Sequence, residues 1–246
     1  MDAPYAADRS LGGKVRRRMA KLAARRPAAP RLERPTLSFT FDDVPDSAVA
    51  NAAPLLEDMG LRATWYVCSG LFGRAGHMGR FADAEAVSAL IARGHEIGCH
   101  TRGHIDCHKA SDEALLENVT ANVAALRALG AEPRHFAFPY GELSARAKRL
   151  LGPNYGSLRG VQAGIVQSGG DLNQLPSPGF QGPDGEAVAN HWIDRVAASG
   201  GWVILFSHDV RNDPSPWGCT PAALGRVVRR AQAAGFDIRP VGEVLG

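Results

Sequence analysis

Leu37-Ser38-Phe39-Thr40-Phe41, closed at once by Asp42-Asp43, is the stretch from which the rest of the chain can be read. The apolar run predicts a buried strand. Two adjacent carboxylates ending such a strand are costly, because like charges in close quarters resist joint ionisation. A cation, or a shared catalytic task, is the usual relief. His100-Thr101-Arg102-Gly103-His104 stands in the same relation to a second run, Glu96-Ile97-Gly98-Cys99. The four-residue spacing of His100 and His104 aims both imidazoles at one point in a helical turn or tight loop. Together the two stretches supply oxygen and imidazole ligands of the kind a catalytic zinc takes, with one carboxylate left over as a base. Zinc fits this donor set best, and cobalt, nickel or iron satisfy it as well.

Outward from these stretches, β-like runs alternate with helical ones. Strands are expected over 37–41, 63–68, 96–99, 135–138, 202–207 and 236–241. Helices are expected over 47–59 with Ser47 as N-cap, 83–92, 111–129 with Ser111 as N-cap, 145–151, 186–198 and 221–234. The Gly- and Pro-rich segment 155–183 reads as loops with short strands. Such alternation predicts α/β architecture, with parallel strands covered by helices as a barrel or an open sheet, in one domain. Asp42-Asp43, His100, Pro139-Tyr140-Gly141 and His208-Asp209 each follow an expected strand directly. In parallel α/β folds that is the C-terminal rim, where active sites gather.

A chain of 246 residues with 45% hydrophobic side chains can bury a substantial core. Its net charge of +3 is unevenly spread. Residues 1–34 hold ten Lys and Arg against Asp2, Asp8 and Glu33, which leaves +7 there and −4 for the remainder. A mildly acidic body is not a nucleic-acid surface. Residues 1–35 are expected to form a basic arm, helical or partly disordered, whose arginines and Met19, Leu22, Ala23 and Ala24 suit contact with an anionic surface. Residues 36–246 form the expected catalytic domain. No secretory h-region and no run of ~18 apolar residues is visible, so the expected location is cytoplasmic with no transmembrane segment. Cys68, Cys99, Cys107 and Cys219 include no CxxC pair and read as buried free thiols of a reducing compartment.

Thr40-Phe41-Asp42-Asp43, His100-Thr101-Arg102-Gly103-His104, Phe138-Pro139-Tyr140-Gly141 and Phe206-Ser207-His208-Asp209 resemble, in order, the motifs of the polysaccharide deacetylase family. This is the NodB-homology fold, or carbohydrate esterase family four. Arg62-Ala63-Thr64-Trp65-Tyr66-Val67 and Gly94-His95-Glu96-Ile97-Gly98-Cys99 read like that family too, and the resemblance runs from about Leu37 to Val244. It implies a distorted (β/α) barrel and metal-dependent hydrolysis of N-acetyl, less often O-acetyl, groups on sugars. Asp43, His100 and His104 are then the implied metal ligands, and Asp42 the general base. The backbone N–H at Tyr140 is the implied oxyanion donor, and His208 the acid that protonates the departing amine.

On the substrate side, Pro139 shapes the rim, and Phe206 stands where the family often has Leu beside the acetyl methyl. Tyr140, Phe180 and Trp217 are candidates to stack on sugar rings. Asp209 reads as a residue that orients a loop. The chain departs from the family at Ala137, where an Arg often holds the base aspartate. Arg159, in Ser157-Leu158-Arg159-Gly160, is expected to supply that guanidinium from a neighbouring strand end. The family's fourth motif has no convincing match, and His191-Trp192-Ile193-Asp194 reads as structural. The implied partner is an N-acetylated carbohydrate. A linear amide hydrolase acting on a lipid-linked sugar or small amide, and a silent carbohydrate-binding relative, are the alternative readings.

Overall fold

In the computed structural model, which describes residues 11–30 and 32–246, strand β1 (Thr36–Asp42) is buried along its whole length. Successive side chains of a strand point to opposite faces. Leu37, Phe39 and Phe41 therefore share one face and join the main apolar cluster, while Thr36, Ser38, Thr40 and Asp42 share the other. Such a strand needs cover on both sides, and the fold supplies it.

The chain runs α1 (Leu11–Leu22), β1, α2 (Asp46–Asp58), β2 (Thr64–Val67), β3 (Ala75–Gly76), β4 (Gly79–Arg80), α3 (Ala84–Ala92), β5 (Glu96–Cys99) and α4 (Asp112–Ala128). It continues through β6 (His135–Ala137), α5 (Ala145–Leu151), β7 (Ser157–Arg159), α6 (Gly185–Ser199), β8 (Trp202–Ser207), α7 (Pro221–Ala233), β9 (Asp237–Ile238) and α8 (Val241–Leu245). Seven strands form one sheet in the order β7-β6-β5-β2-β1-β8, with β9 also paired to β1, and all its ladders are parallel. β7 and β1 stand four places apart in that order, ~19 Å in a flat sheet. Arg159 on β7 nevertheless reaches Asp42 on β1 at 2.5 Å. The sheet is rolled into a curled half-barrel, with the segment between β7 and α6 bridging the seam: Leu175 pairs with Arg159, and Gly179 with Phe206.

Outside the roll, α2, α3, α6 and α7 bury Leu56, Leu90, Ile193 and Leu224 against the apolar face of the central strands. A second cluster, with Leu115, Phe136, Phe138 and Leu158, fills the space under α4 and α5. Asp83, Ser111, Ser144 and Thr220 cap α3, α4, α5 and α7, each accepting a backbone N–H three residues on. Ser47 does not cap α2; that helix starts at Asp46 behind Pro45, whose fixed φ sets the entry. The strand expected over 236–241 is only β9, because Pro240 cannot donate to a ladder and starts α8 instead.

Of the basic arm, residues 1–10 and 31 lie outside the described residues. α1 exposes Met19 and Leu22 and buries Ala20 in the second cluster. The segment behind it is tied to the body. Arg26 donates to the carbonyls of Tyr155 and Gly156 at 2.7 and 2.6 Å, Asn173 to Ala24 O, and Ala28 N to Gly170 O. No helix among the described residues is long and apolar enough to cross a membrane. Lys148, fully buried on α5, joins arm to body through Ala20 O at 2.6 Å and Asp171 Oδ2 at 2.6 Å. Replacing it with Met strands the Asp171 carboxylate, so K148M is expected to lose about 3 kcal/mol in urea unfolding. Breaking the exposed Arg127–Glu132 pair is expected to cost less than about 1 kcal/mol.

Candidate active site

Four strand ends converge on one rim. β1 ends in Asp42, with Asp43 next; His100 follows β5, Pro139 lies two residues beyond β6, and His208 follows β8. The backbone there is strained. Asp43, Val44, Thr101, His104 and Tyr140 all have φ between 52° and 61°, and Ala24 is the one other non-glycine with positive φ among the described residues. Left-handed backbone is unfavourable for a β-branched residue such as Val44, and strain of this kind collects at functional sites. At Asp43 the consequence is direct: Val44 N bonds back to Asp42 O at 2.6 Å, and the tight turn sends the two carboxylates to different neighbours.

Asp42 turns into the barrel. Its Oδ2 accepts from Arg159 Nη2 at 2.5 Å, both residues are buried, and its Oδ1 has no hydrogen-bond partner among the described residues. Arg159 pairs in register with Ala137 across β6–β7, so the guanidinium enters from the strand beside the position the sequence leaves small. It is held there by the carbonyl of Gly160 and lies over the rings of Tyr66 and Phe206, 5.0 and 5.3 Å away. The Tyr66 ring in turn occupies the space a side chain at Gly98 would take, with ring atoms 2.4 Å from an ideal Cβ. A pair this deeply desolvated depends on both members. Arg159→Met is expected to cost about 3–5 kcal/mol in urea unfolding, and adding Asp42→Asn to recover much of that loss, because no lone carboxylate is then left buried.

Asp43 faces the histidines. Its Oδ1 lies 3.6 Å from His100 Nε2 and 3.4 Å from His104 Nε2. His100 Nδ1 sits 2.8 Å from the carbonyl of Ala137, which can only accept, so Nδ1 carries the proton. Burial drives the His100 pKa down to about 4, against the pull of Asp42 and Asp43, and the ring is neutral near pH 7. Its Nε2 lone pair therefore points at a carboxylate oxygen. Two acceptors face each other across a gap too long for a hydrogen bond and sized for an ion. Burial raises the Asp43 carboxyl, but His104, His100, His208 and Cys68 bring it below the ordinary value on balance. These donors fit a divalent metal, and the Ala137 carbonyl fixes the tautomer a ligating His100 needs.

The other expected residues divide. His208 Nδ1 bonds to the Trp217 carbonyl at 3.1 Å, which leaves its Nε2 clear of that contact. Asp209 is buried, accepts from Ser215 N and Ser215 Oγ, and forms an ion pair with Arg211, so it braces the loop that carries Trp217. Trp217 is half-buried against His77, brought over by the β3–β4 hairpin, with ring centroids 4.8 Å apart. Tyr140 is 40% exposed, and its ring meets His104 edge-on at 4.4 Å. Pro139 and Phe206 are buried at the rim, the Phe206 ring 6.0 Å from His208. Phe180 cannot stack on a sugar, because it lies in the main core. All four cysteines are free and buried. Cys68, read from sequence only as such a thiol, stands at the centre: Asp43 Oδ1, Cys68 Sγ and a ring nitrogen of His100 lie within 4.8 Å of one another. The expected strand over 63–68 took it in as its last residue, whereas β2 ends at Val67 and leaves Cys68 on the rim.

A rolled parallel sheet with carboxylates and imidazoles gathered at its C-terminal rim places the chain in the class of α/β half-barrels with a polar rim site. The polysaccharide deacetylase family matches over residues 29–153, half the chain, and the chain belongs to that family. It is 26% identical to a peptidoglycan-N-acetylglucosamine deacetylase of Bacillus cereus over 85% of this chain and 87% of the relative. A chitin deacetylase of a Pestalotiopsis species is 29% identical over 80% of this chain and 65% of its own length. Among solved structures, a pseudoenzyme of the same carbohydrate esterase family from Bacillus anthracis superposes with a TM-score of 0.61 at 14% identity. That match covers 89% of this chain and 68% of that one. The last likeness speaks for the fold alone, and fold does not decide activity.

Proposed function

We propose that this protein is a metal-dependent hydrolase that removes N-acetyl groups from an amino-sugar oligomer or polysaccharide. The observation that carries the reading is the division of labour between neighbours. Asp43 opposes the Nε2 atoms of His100 and His104, while Asp42 keeps one oxygen pinned by Arg159 and the other without a hydrogen-bond partner among the described residues. A divalent metal, zinc by preference for this donor set, lowers the pKa of water and polarises the acetyl carbonyl when bound there.

The protein's own residues do the rest. Asp42 Oδ1 takes the proton from the attacking water, and Arg159 holds the base in place through Oδ2. The backbone N–H of Tyr140, on its strained turn, donates to the oxygen that becomes negative. His208, its ring oriented by the Trp217 carbonyl, gives a proton from Nε2 to the leaving amine. Without an acid there, expulsion of an amine anion is prohibitive. Phe206 and Pro139 border the acetyl group, and Tyr140 and Trp217 offer ring faces to the sugar. The kinship to both a peptidoglycan and a chitin deacetylase supports N-acetylglucosamine as the unit to try first.

The test is acetate release from N-acetylglucosamine oligomers and acetylated polysaccharides, with and without added zinc or cobalt, and after chelation. Release is expected to depend on metal. Asp42→Asn and His208→Asn are each expected to lower kcat by about 10²- to 10⁴-fold while metal still binds. Asp43→Ala is expected to abolish metal binding itself. Metal bound with no acetate released from any substrate would turn the reading towards a binding-only relative or a different amide.

A further inference from the structure

Cys68 is the residue immediately after β2, as Asp43 is after β1 and His100 after β5, and β1, β2 and β5 are consecutive in the sheet. The three side chains are thus set side by side on one rim by the topology. Cys68 Sγ lies 3.7 Å from Asp43 Oδ1 and 2.9 Å from the carbonyl oxygen of His100. A thiol has one proton, so it serves one of these two acceptors and leaves the other facing bare sulfur. Beside them Asp42 Oδ1 is buried with no hydrogen-bond partner among the described residues. The centre therefore holds more buried lone pairs than donors, and a cation among them answers that imbalance. The other thiols have different neighbours: Cys99 accepts from Asn122 Nδ2 at 3.3 Å, and Cys107 lies by the Ile105 carbonyl.

We propose that Cys68 is a thiolate ligand of the metal, completing with Asp43 and His100 a centre that carries one soft donor. The inference rests on the reading of Asp43 and His100 as metal ligands. As the ion enters, the thiol releases its proton to solvent and a sulfur–metal bond forms, with no change of oxidation state. A sulfur donor selects zinc or cobalt over magnesium or manganese, which prefer oxygen.

Two measurements on the full chain test this without recourse to activity. The protein loaded with Co2+ is expected to show a thiolate-to-cobalt charge-transfer band in the near ultraviolet, absent from Cys68→Ser and retained in Cys99→Ser. The zinc-loaded wild type is expected to show one sulfur scatterer at ~2.3 Å by X-ray absorption at the zinc edge, which needs no variant to fold. Zinc affinity is expected to fall about tenfold or more in Cys68→Ser. Bound metal with only nitrogen and oxygen neighbours would overturn the thiolate and leave the Asp–His centre standing. Failure to bind cobalt or zinc at all would overturn both.

Discussion

Across the barrel interior, Asp42 and Arg159 form the contact on which the rest of the arrangement turns. They come from strands that a flat sheet would hold ~19 Å apart, so the pair exists only because the sheet rolls. Its desolvation is severe. Guanidinium and carboxylate are both out of water, and such a pair breaks about even on stability unless its remaining hydrogen-bonding capacity is used. Here Asp42 Oδ1 and Arg159 Nε have no hydrogen-bond partners among the described residues. The pair is thus poorly explained as a device for stability and well explained as one that holds a charged oxygen ready inside the barrel.

The cost of a polar interior falls on the outer face of the same strands. β1 shows the division most clearly: Thr36, Ser38, Thr40 and Asp42 on one side, Leu37, Phe39 and Phe41 on the other. Ser38 is satisfied by Trp202 and by the Arg239 carbonyl, and Thr40 by Leu205 O. Thr64 and Glu96 bond to each other and reach the start of α8. The lower barrel is therefore polar but largely satisfied, whereas in the upper barrel Asp42 Oδ1 and Arg159 Nε have no hydrogen-bond partner among the described residues. The apolar packing beneath the helices offsets the penalty of that polar interior.

Much of this was legible in the sequence, for a physical reason. A strand end followed by a charged or ligating residue is a local signal, and it fixed the rim positions of Asp43, His100, Pro139 and His208 before any topology was known. The helices with side-chain caps at Asp83 and Ser111 were equally local. What escaped depended on distant contacts. Arg26 and Lys148 look like solvated charges in sequence, yet carbonyls and a carboxylate from the 152–174 loop draw them in. Phe180 looks like a rim aromatic, but its backbone pairs with Phe206 and its ring drops into the core. The importance of Cys68 required knowing that β2 lies between β1 and β5.

Adjacent carboxylates pose the sharpest local problem, and the backbone solves it. In a continuing strand, Asp42 and Asp43 would alternate faces but remain on one straight edge. The positive φ at Asp43, with the Val44 N to Asp42 O bond, ends the strand and turns the second carboxylate over the rim. One is then compensated by a permanent cation, Arg159. The other faces the Nε2 atoms of His100 and His104 across gaps of 3.6 and 3.4 Å. Two like charges one residue apart are given different electrostatic surroundings, and the one without an arginine against it is the one placed where a cation is called for.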